Sequence, residues 1–404
     1  MSEKQEQQHG RALLLLSLAA FASAASARLC DPMLPDLSRT FNATPSAAAH
    51  VVAGFLVAYG ALQVFFGPLG DRWGKYRTIA LTTLACTLGS LACALASSLN
   101  MLVLARVLAG ATAGGIIPLS MAWIGDTVPY AQRQTTLARF LSGQVLGVVC
   151  GQFVGGAVSD LLGWRWAFAF LAALYLVVGA LVWREAQTNP ITRPSATSSP
   201  SQRDLIAQVK GVLQVRWARA LLLIVFIEGM LVFGALAFVP SYVHRQFGLS
   251  LTLAGSIMTS FGAGGLSYIV LSRVLVSRLG EVKLVQTGGL VIAFAWCLLI
   301  AGPNWAWAVP AGFLAGLGYY MLHNTLQTNA TQMVPHLRGT AVSMFASSFF
   351  LGQSLGVSLA ALTIDHWGPR SPFIIAACLT PVVSTVFARM LKRRHAQQPS
   401  QQVA

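Results

Sequence analysis

Apolar runs of roughly bilayer length follow one another along this chain, divided by short polar joints. Twelve can be marked, at 11–37, 48–69, 78–98, 101–125, 135–158, 165–183, 218–240, 250–272, 284–302, 305–332, 341–364 and 371–390. A helix that crosses a bilayer needs about 20 mostly apolar residues, and it satisfies its own backbone where no water can. The joints carry turn-forming residues: Ser97-Ser98 with Asn100, Gly163, and Pro303-Asn304. From Leu284 to Leu337 there is no Asp, Glu, Lys or Arg, so two spans there are split only at Pro303-Asn304. The pattern predicts an all-α membrane protein with 12 transmembrane helices.

Composition strengthens that reading. Of 404 residues, 55% are hydrophobic and 10% charged, whereas a soluble globule carries about 25% charged residues. With both termini in the cytoplasm, Lys and Arg sort as roughly 20 inside, four outside and three within spans, as the positive-inside rule requires. The formal charge of +15 is therefore mostly a topology signal and not a nucleic-acid footprint; the expected location is the plasma (inner) membrane. Trp73, Trp164, Trp166, Trp183, Trp217, Trp305, Trp307 and Trp367 lie near span ends, where an aromatic belt belongs. The first run resembles a signal-peptide core, but its charge-balanced flank (Glu3, Lys4, Glu6, Arg11) and its later counterpart argue for a retained span. The six cysteines lie in apolar spans without metal-ligand spacing and read as small apolar filler. No cofactor is called for.

The chain repeats itself at an offset near 206. "GPLGDRWGK" at 67–75 matches "RVLVSRLGE" at 273–281 in its Leu, Arg and Gly positions. After Arg133 the offset is 205: Phe140, Gly147, Gly151, Asp160, Gly163, Arg165 and Phe168 meet Phe345, Gly352, Gly356, Asp365, Gly368, Arg370 and Phe373. This predicts two six-helix bundles related by pseudo-two-fold symmetry, residues 1–183 and 218–404, the second ending in a basic cytoplasmic tail. The connection, 184–217, is a Pro/Ser/Thr-rich cytoplasmic linker. It is followed by an amphipathic helix in which Leu205, Ile206, Val209, Val212 and Leu213 share a face.

"GPLGDRWGKYR" after the second span resembles the G-x-L-x-D-R-x-G-R/K loop signature of the major facilitator superfamily, and "LVLARVLAGATAGG" at 102–115 resembles the R-x-x-x-G stretch of its fourth helix. "GQVLGVVCGQFVGG" at 143–156 is similar to the antiporter motif of its fifth helix, with Gln152 where the motif has Pro. "DPMLP" at 31–35 resembles the end of helix 1 in the drug/proton antiporter group, the 12-helix branch of that superfamily. The resemblance implies a secondary transporter that alternates access to the two membrane faces. It further implies a gating latch in the loop of Gly67, Asp71, Arg72, Gly74, Lys75 and Arg77, with Asp71 near the start of helix 11 around Gly339–Ala341. Ser277 stands in place of the loop Asp in the second half, so only the first copy would latch. The Gly ladder, Gly143, Gly147, Gly151 and Gly155, gives a close-packing face. The resemblance sets it against helix 8, where "SFGAGG" at 260–265 supplies small residues.

Ionisable residues inside spans are costly and mark function by default. Asp31 lies in span 1, Arg106 in span 4, Glu228 in span 7 and His323 in span 10, the first helices of four three-helix repeats. Arg139 near the inner end of span 5 can snorkel. At 1.5 Å rise per residue, Asp31 and Arg106 lie at roughly equal depth, about 10 Å from the outer ends of their spans, which allows a salt bridge. Asp31, Arg106 and Glu228 are the proton-coupling candidates, since burial and a nearby Arg act in opposite senses on a carboxyl group. Tyr320, His323, Asn324 and Gln327, with Thr331, form a polar row that needs water or a ligand to face; they are the substrate-binding candidates. The expected function is export of small amphipathic molecules by proton antiport, in a monomer whose partners are its substrate, protons and lipid. A sugar or other metabolite exporter of the same fold is the alternative. No catalytic constellation, metal cluster or G-x-x-x-x-G-K-[ST] phosphate loop occurs in the sequence, which disfavours an enzyme or a nucleotide-driven pump.

Overall fold

The computed structural model describes residues 3–193 and 205–397, and within them every regular element is helical. The Pro/Ser/Thr-rich segment 194–204 and the tail end 398–404, both parts of the sequence-based division, lie outside the described residues. The chain divides into two units: Met1–Lys210 with Ser250–Ser256, and Gly211–Leu249 with Ile257–Ala404.

The first unit holds α1 (Glu3–Arg28), α2 (Leu34–Thr40), α3 (Pro45–Trp73), α4 (Lys75–Ala94), α5 (Leu99–Ala113), α6 (Ile116–Thr127), α7 (Tyr130–Leu162) and α8 (Trp164–Thr188). Helix starts are set locally: the hydroxyls of Thr44 and Ser98 accept the N–H of Ala47 and Met101, capping α3 and α5. α9 (Leu205–Gln214) spans the division. Its Val212 is buried while Ile206 and Leu213 are exposed, as suits a helix lying at a membrane surface. The second unit holds α10 (Arg216–Glu228), a π-helical turn (Gly229–Phe233), α11 (Gly234–Leu236), α12 (Val239–Phe247), α14 (Thr259–Ala301), α15 (Ala308–Ala330), α16 (Arg338–Trp367) and α17 (Ser371–Gln397). The short α13 (Leu251–Ile257) precedes α14, and residues 250–256 group with the first unit.

Among the described residues, ten stretches are long and apolar enough to cross a membrane, against the twelve predicted. Two features bear on the difference. Leu251–Ala301 counts once although it has 51 residues, about 77 Å of helix against a hydrocarbon core of about 30 Å. Within it Gly280 turns the chain at φ 66°, ψ 166°, as Gly74 does at φ 88° between α3 and α4. α15 is long enough at 23 residues, but His323, Asn324 and Gln327 lower its hydropathy. Large apolar side chains such as Leu88 (71% exposed) and Val270 (80% exposed) cover the outer surfaces. A water-facing protein would aggregate through such patches, and lipid is the solvent they fit.

Three spans that carry ionisable residues or lie beside them are broken. Span 1 leaves the helix at residues 29–33, around Asp31. Span 4 is interrupted at Gly114-Gly115. Span 7 widens into the π-helical turn directly after Glu228. A π-bulge of this kind is frequent at functional sites.

The Gly ladder faces a different neighbour from the one expected. A methyl group added at Gly147, Gly151 or Gly155 would collide with the main chain of Phe21, Ala25 or Leu29, and one at Gly143 would press on Ser17. The ladder is thus the α1–α7 seam, and its four-residue step meets an equal step on α1. The periodicity defined the face correctly but carried no information on the partner. The start of α13 touches another edge of α7: Gly156 lies against Leu251, and Gly255 against the carbonyl of Gln152. The small residues of 260–265 face α15, with Gly264 against Phe313 and Gly265 against the Tyr320 ring.

The seam recurs in the second unit. Gly352 abuts Phe226 and Gly356 abuts Met230, each pair displaced by 205 residues from Gly147–Phe21 and Gly151–Ala25. Likewise Gly110 meets Phe55, and Gly316 meets Phe261, an offset of 206.

Candidate functional site

In the first unit the break after α1 puts Asp31 among side chains from α5 and α7. Asp31 is fully buried. Its Oδ2 is 3.6 Å from Arg28 Nη1 and accepts a hydrogen bond from Gln152 Nε2 at 3.1 Å, while Oδ1 is buried without a hydrogen-bond partner. The salt bridge of Asp31 with Arg106, allowed by depth, gives way to one with Arg28, because Arg28 is one helical turn away on the same segment. Arg106, 1% exposed, turns instead to α3 and α1. Its Nε donates to the Val51 carbonyl at 3.1 Å and its Nη1 to Ser26 Oγ at 3.4 Å, and the guanidinium lies 4.1 Å from the Phe55 ring centroid. Arg106 Nη2 is buried without a hydrogen-bond partner. The cation–π contact offsets part of the cost of burying the charge.

In the second unit Glu228 and His323 meet. With Glu228 ionised, His323 Nδ1 donates to Glu228 Oε2 at 2.8 Å. The other carboxylate oxygen, Oε1, is buried without a hydrogen-bond partner. Of the pair, His323 is the member that reaches accessible surface, with 13% side-chain exposure against 0% for Glu228. Aromatic rings surround the imidazole: Tyr319 stacks on it at 4.9 Å, Phe349 lies at 4.7 Å and Phe345 at 5.7 Å. A carboxylate reached through an imidazole, in an apolar wall, is an arrangement that can take up or release a proton.

The polar row of α15 divides. His323 turns to Glu228. Tyr320 packs edge-on to Tyr319, 5.0 Å between centroids. Asn324 Nδ2 donates to the Tyr268 hydroxyl on α14 at 3.0 Å, and Gln327 is exposed. At the loop signature, α3 ends at Trp73 and Gly74 makes the turn. Lys75 Nζ bridges Asp71 (3.3 Å) and Asp126 (2.5 Å). Arg72 is exposed, and Arg77 lies over the Trp183 ring at 5.7 Å. Nothing lies within 4 Å of a methyl group placed on Gly67.

Three contributors were not singled out from the sequence. Arg28 sits at the end of an apolar run, where a cation reads as a flank. Asp126 also reads as a flank, at the end of α6. Gln152 was visible only as a departure from a motif. No single-helix pattern shows that its amide reaches a residue 121 positions away.

Comparison with known proteins agrees with this architecture. A family model described as "Major Facilitator Superfamily" matches residues 16–356. The chain is 25% identical over 384 residues to "Uncharacterized MFS-type transporter YwfA" of Bacillus subtilis (strain 168), covering 93% of this chain and 91% of that protein. It is 30% identical over 181 residues to "Multidrug export protein EmrB" of Escherichia coli (strain K12), a match to 44% of this chain and 35% of that protein. In three dimensions it is similar to a bacterial homologue of the human lysosomal transporter Spinster, in an inward-facing, occupied conformation. The TM-score is 0.78 at 18% identity, over 97% of this chain and 98% of that one. The family match covers most of the chain and the shared fold nearly all of it, so this multi-pass membrane protein belongs to the major facilitator superfamily, a transporter and not an enzyme.

Proposed function

We propose that the protein exports small amphipathic molecules across the plasma (inner) membrane in exchange for protons, by alternating access. One chain is the working unit, with both termini cytoplasmic. In this reading it has 12 transmembrane helices, counting Leu251–Ala301 as two spans at Gly280 and α15 as one. The halves 1–183 and 218–404 are pseudo-two-fold related, a reading supported by the seams that recur at offsets of 205 and 206.

The observation that carries the proposal is the pair of buried ionisable clusters, one in each unit, at breaks in the helical spans: Asp31 with Arg28 and Gln152, and Glu228 with His323. A charged group at mid-membrane costs about 2.5–3.5 kcal/mol on insertion scales. Each cluster retains a carboxylate oxygen without a hydrogen-bond partner, so neither is a fully satisfied structural network. Asp31 and Glu228 are assigned as proton carriers and Arg106 as the neighbouring cation. Tyr320, His323, Asn324 and Gln327 are assigned to substrate. Gly67, Asp71, Arg72, Gly74, Lys75 and Arg77 are assigned to a latch, and the ladder of Gly143, Gly147, Gly151 and Gly155 to the helix movement that gating needs. The name of the EmrB relative supports the efflux reading. Export of a polar metabolite is the second reading, favoured by the exposed amides of Asn324 and Gln327.

The test is proton-driven uptake of ethidium, a lipophilic cation, into proteoliposomes with an acidic interior. Glu228→Gln should lower it about tenfold or more. Full proton-driven uptake by that variant removes Glu228 from the scheme.

A further inference from the structure

The family's fifth-helix motif has Pro where this chain has Gln152, and the substituted side chain does not face lipid. Gln152 is 2% exposed, and its amide donates to Asp31 Oδ2 at 3.1 Å. Its main chain is held on two sides. Gly151 and Gly155, its neighbours on α7, close against the backbone of Ala25 and Leu29. The Gln152 carbonyl itself meets Gly255. Packing therefore fixes where the Gln152 side chain starts, and the break at residues 29–33 fixes where the carboxylate sits.

We propose that Gln152 is a positioning residue for Asp31, holding its carboxyl group in one orientation in both protonation states and setting the pH at which it takes a proton. This rests on the reading of Asp31 as a proton carrier. A primary amide suits the task because it has both kinds of hydrogen-bonding group. Its N–H donates to the carboxylate, and after rotation about the last side-chain bond its oxygen accepts from the carboxylic acid O–H. Proline offers neither. The other groups that act on Asp31 are Arg28 and Cys30 on its own segment and Arg106 from α5, with Cys93 from α4 near Arg106 and Cys30. Of these and Gln152, Arg28 forms an ion pair with Asp31 Oδ2 at 3.6 Å and Gln152 donates a hydrogen bond to the same oxygen. When the proton leaves, it goes to water, and the amide turns back so that its N–H donates to the ionised oxygen.

The experiment needs no substrate. Purified full-length protein in lipid is titrated in H₂O and D₂O while the carboxylic-acid C=O stretch is followed by infrared difference spectroscopy. The Asp31 band is identified by its loss in Asp31→Asn. Gln152→Leu and Gln152→Met both remove the donor, the second with an unbranched side chain in case the first fails to fold. Each should change the frequency of the Asp31 band and raise its titration midpoint by about one unit, because a hydrogen bond to the charged form is lost. A Gln152 variant that folds and keeps both the band frequency and the midpoint overturns the role of Gln152 while leaving Asp31 as carrier. If Asp31→Asn removes no titrating band, the reading of Asp31 itself fails.

Discussion

Arg106 shows what one buried cation requires. Its guanidinium supplies donors to Val51 and Ser26 and a flat face to Phe55; a lysine ammonium is a point charge with neither the fork nor the plane. Arg106→Lys should therefore lower proton-driven flux by about tenfold or more despite the conserved charge, the size of a lost hydrogen bond to a charged group. Wild-type flux from that variant would reduce Arg106 to a bare counter-charge. Asp31, Arg106, Glu228 and His323 were legible in the sequence because ionisable groups stand out in apolar runs. Their pairing was not. Depth along a helix axis suggested Arg106 for Asp31, yet the break at 29–33 and the reach of Gln152 decided otherwise. The Glu228–His323 pair joins residues 95 positions apart, and no periodicity within one helix encodes it.

At the scale of elements, the glycine ladder illustrates two opposing effects. Replacing a glycine by alanine inside a helix gains about 1 kcal/mol of propensity. Forcing side-chain atoms into a filled seam costs about 1–3 kcal/mol. At Gly151 the added atom meets the Ala25 backbone, which cannot swing aside, so the cost wins. Gly151→Leu should lower the Tm of the detergent-solubilised protein, whereas Gly67→Ala, inside α3 with open space around it, should hold or slightly raise the Tm. Equal melting of Gly151→Leu and wild type would contradict the α1–α7 seam. A Gly67→Ala protein that melts normally but loses flux would locate the role of Gly67 in the latch. The four-residue spacing was readable in advance because it defines one face of one helix. Its neighbour was not, since many small-residue faces in the chain were equally available.

For the whole molecule, the apolar runs, the charge asymmetry and the repeat made the helical membrane architecture readable before any coordinates. Twelve apolar runs can be marked in the sequence, whereas ten long apolar stretches are found among the described residues: Leu251–Ala301 is helical throughout except at Gly280, and the polar side chains of α15 lower its hydropathy. Topology is open to direct measurement. In a cysteine-free background, Ser198→Cys in the linker should react with an impermeant maleimide only from the cytoplasmic side, and Asn304→Cys only from the outer side. Reaction of both from one side would overturn the assigned orientation.

The central claim is that solute movement is driven by protons passing through the buried carboxyl groups. It is tested most directly by ethidium flux in proteoliposomes under an imposed pH gradient, comparing wild type with the Asp31→Asn, Glu228→Gln double variant. The account predicts gradient-driven accumulation by wild type, its collapse on adding a protonophore, and none by the double variant. Accumulation by the double variant equal to wild type, or wild-type accumulation indifferent to the protonophore, would contradict it.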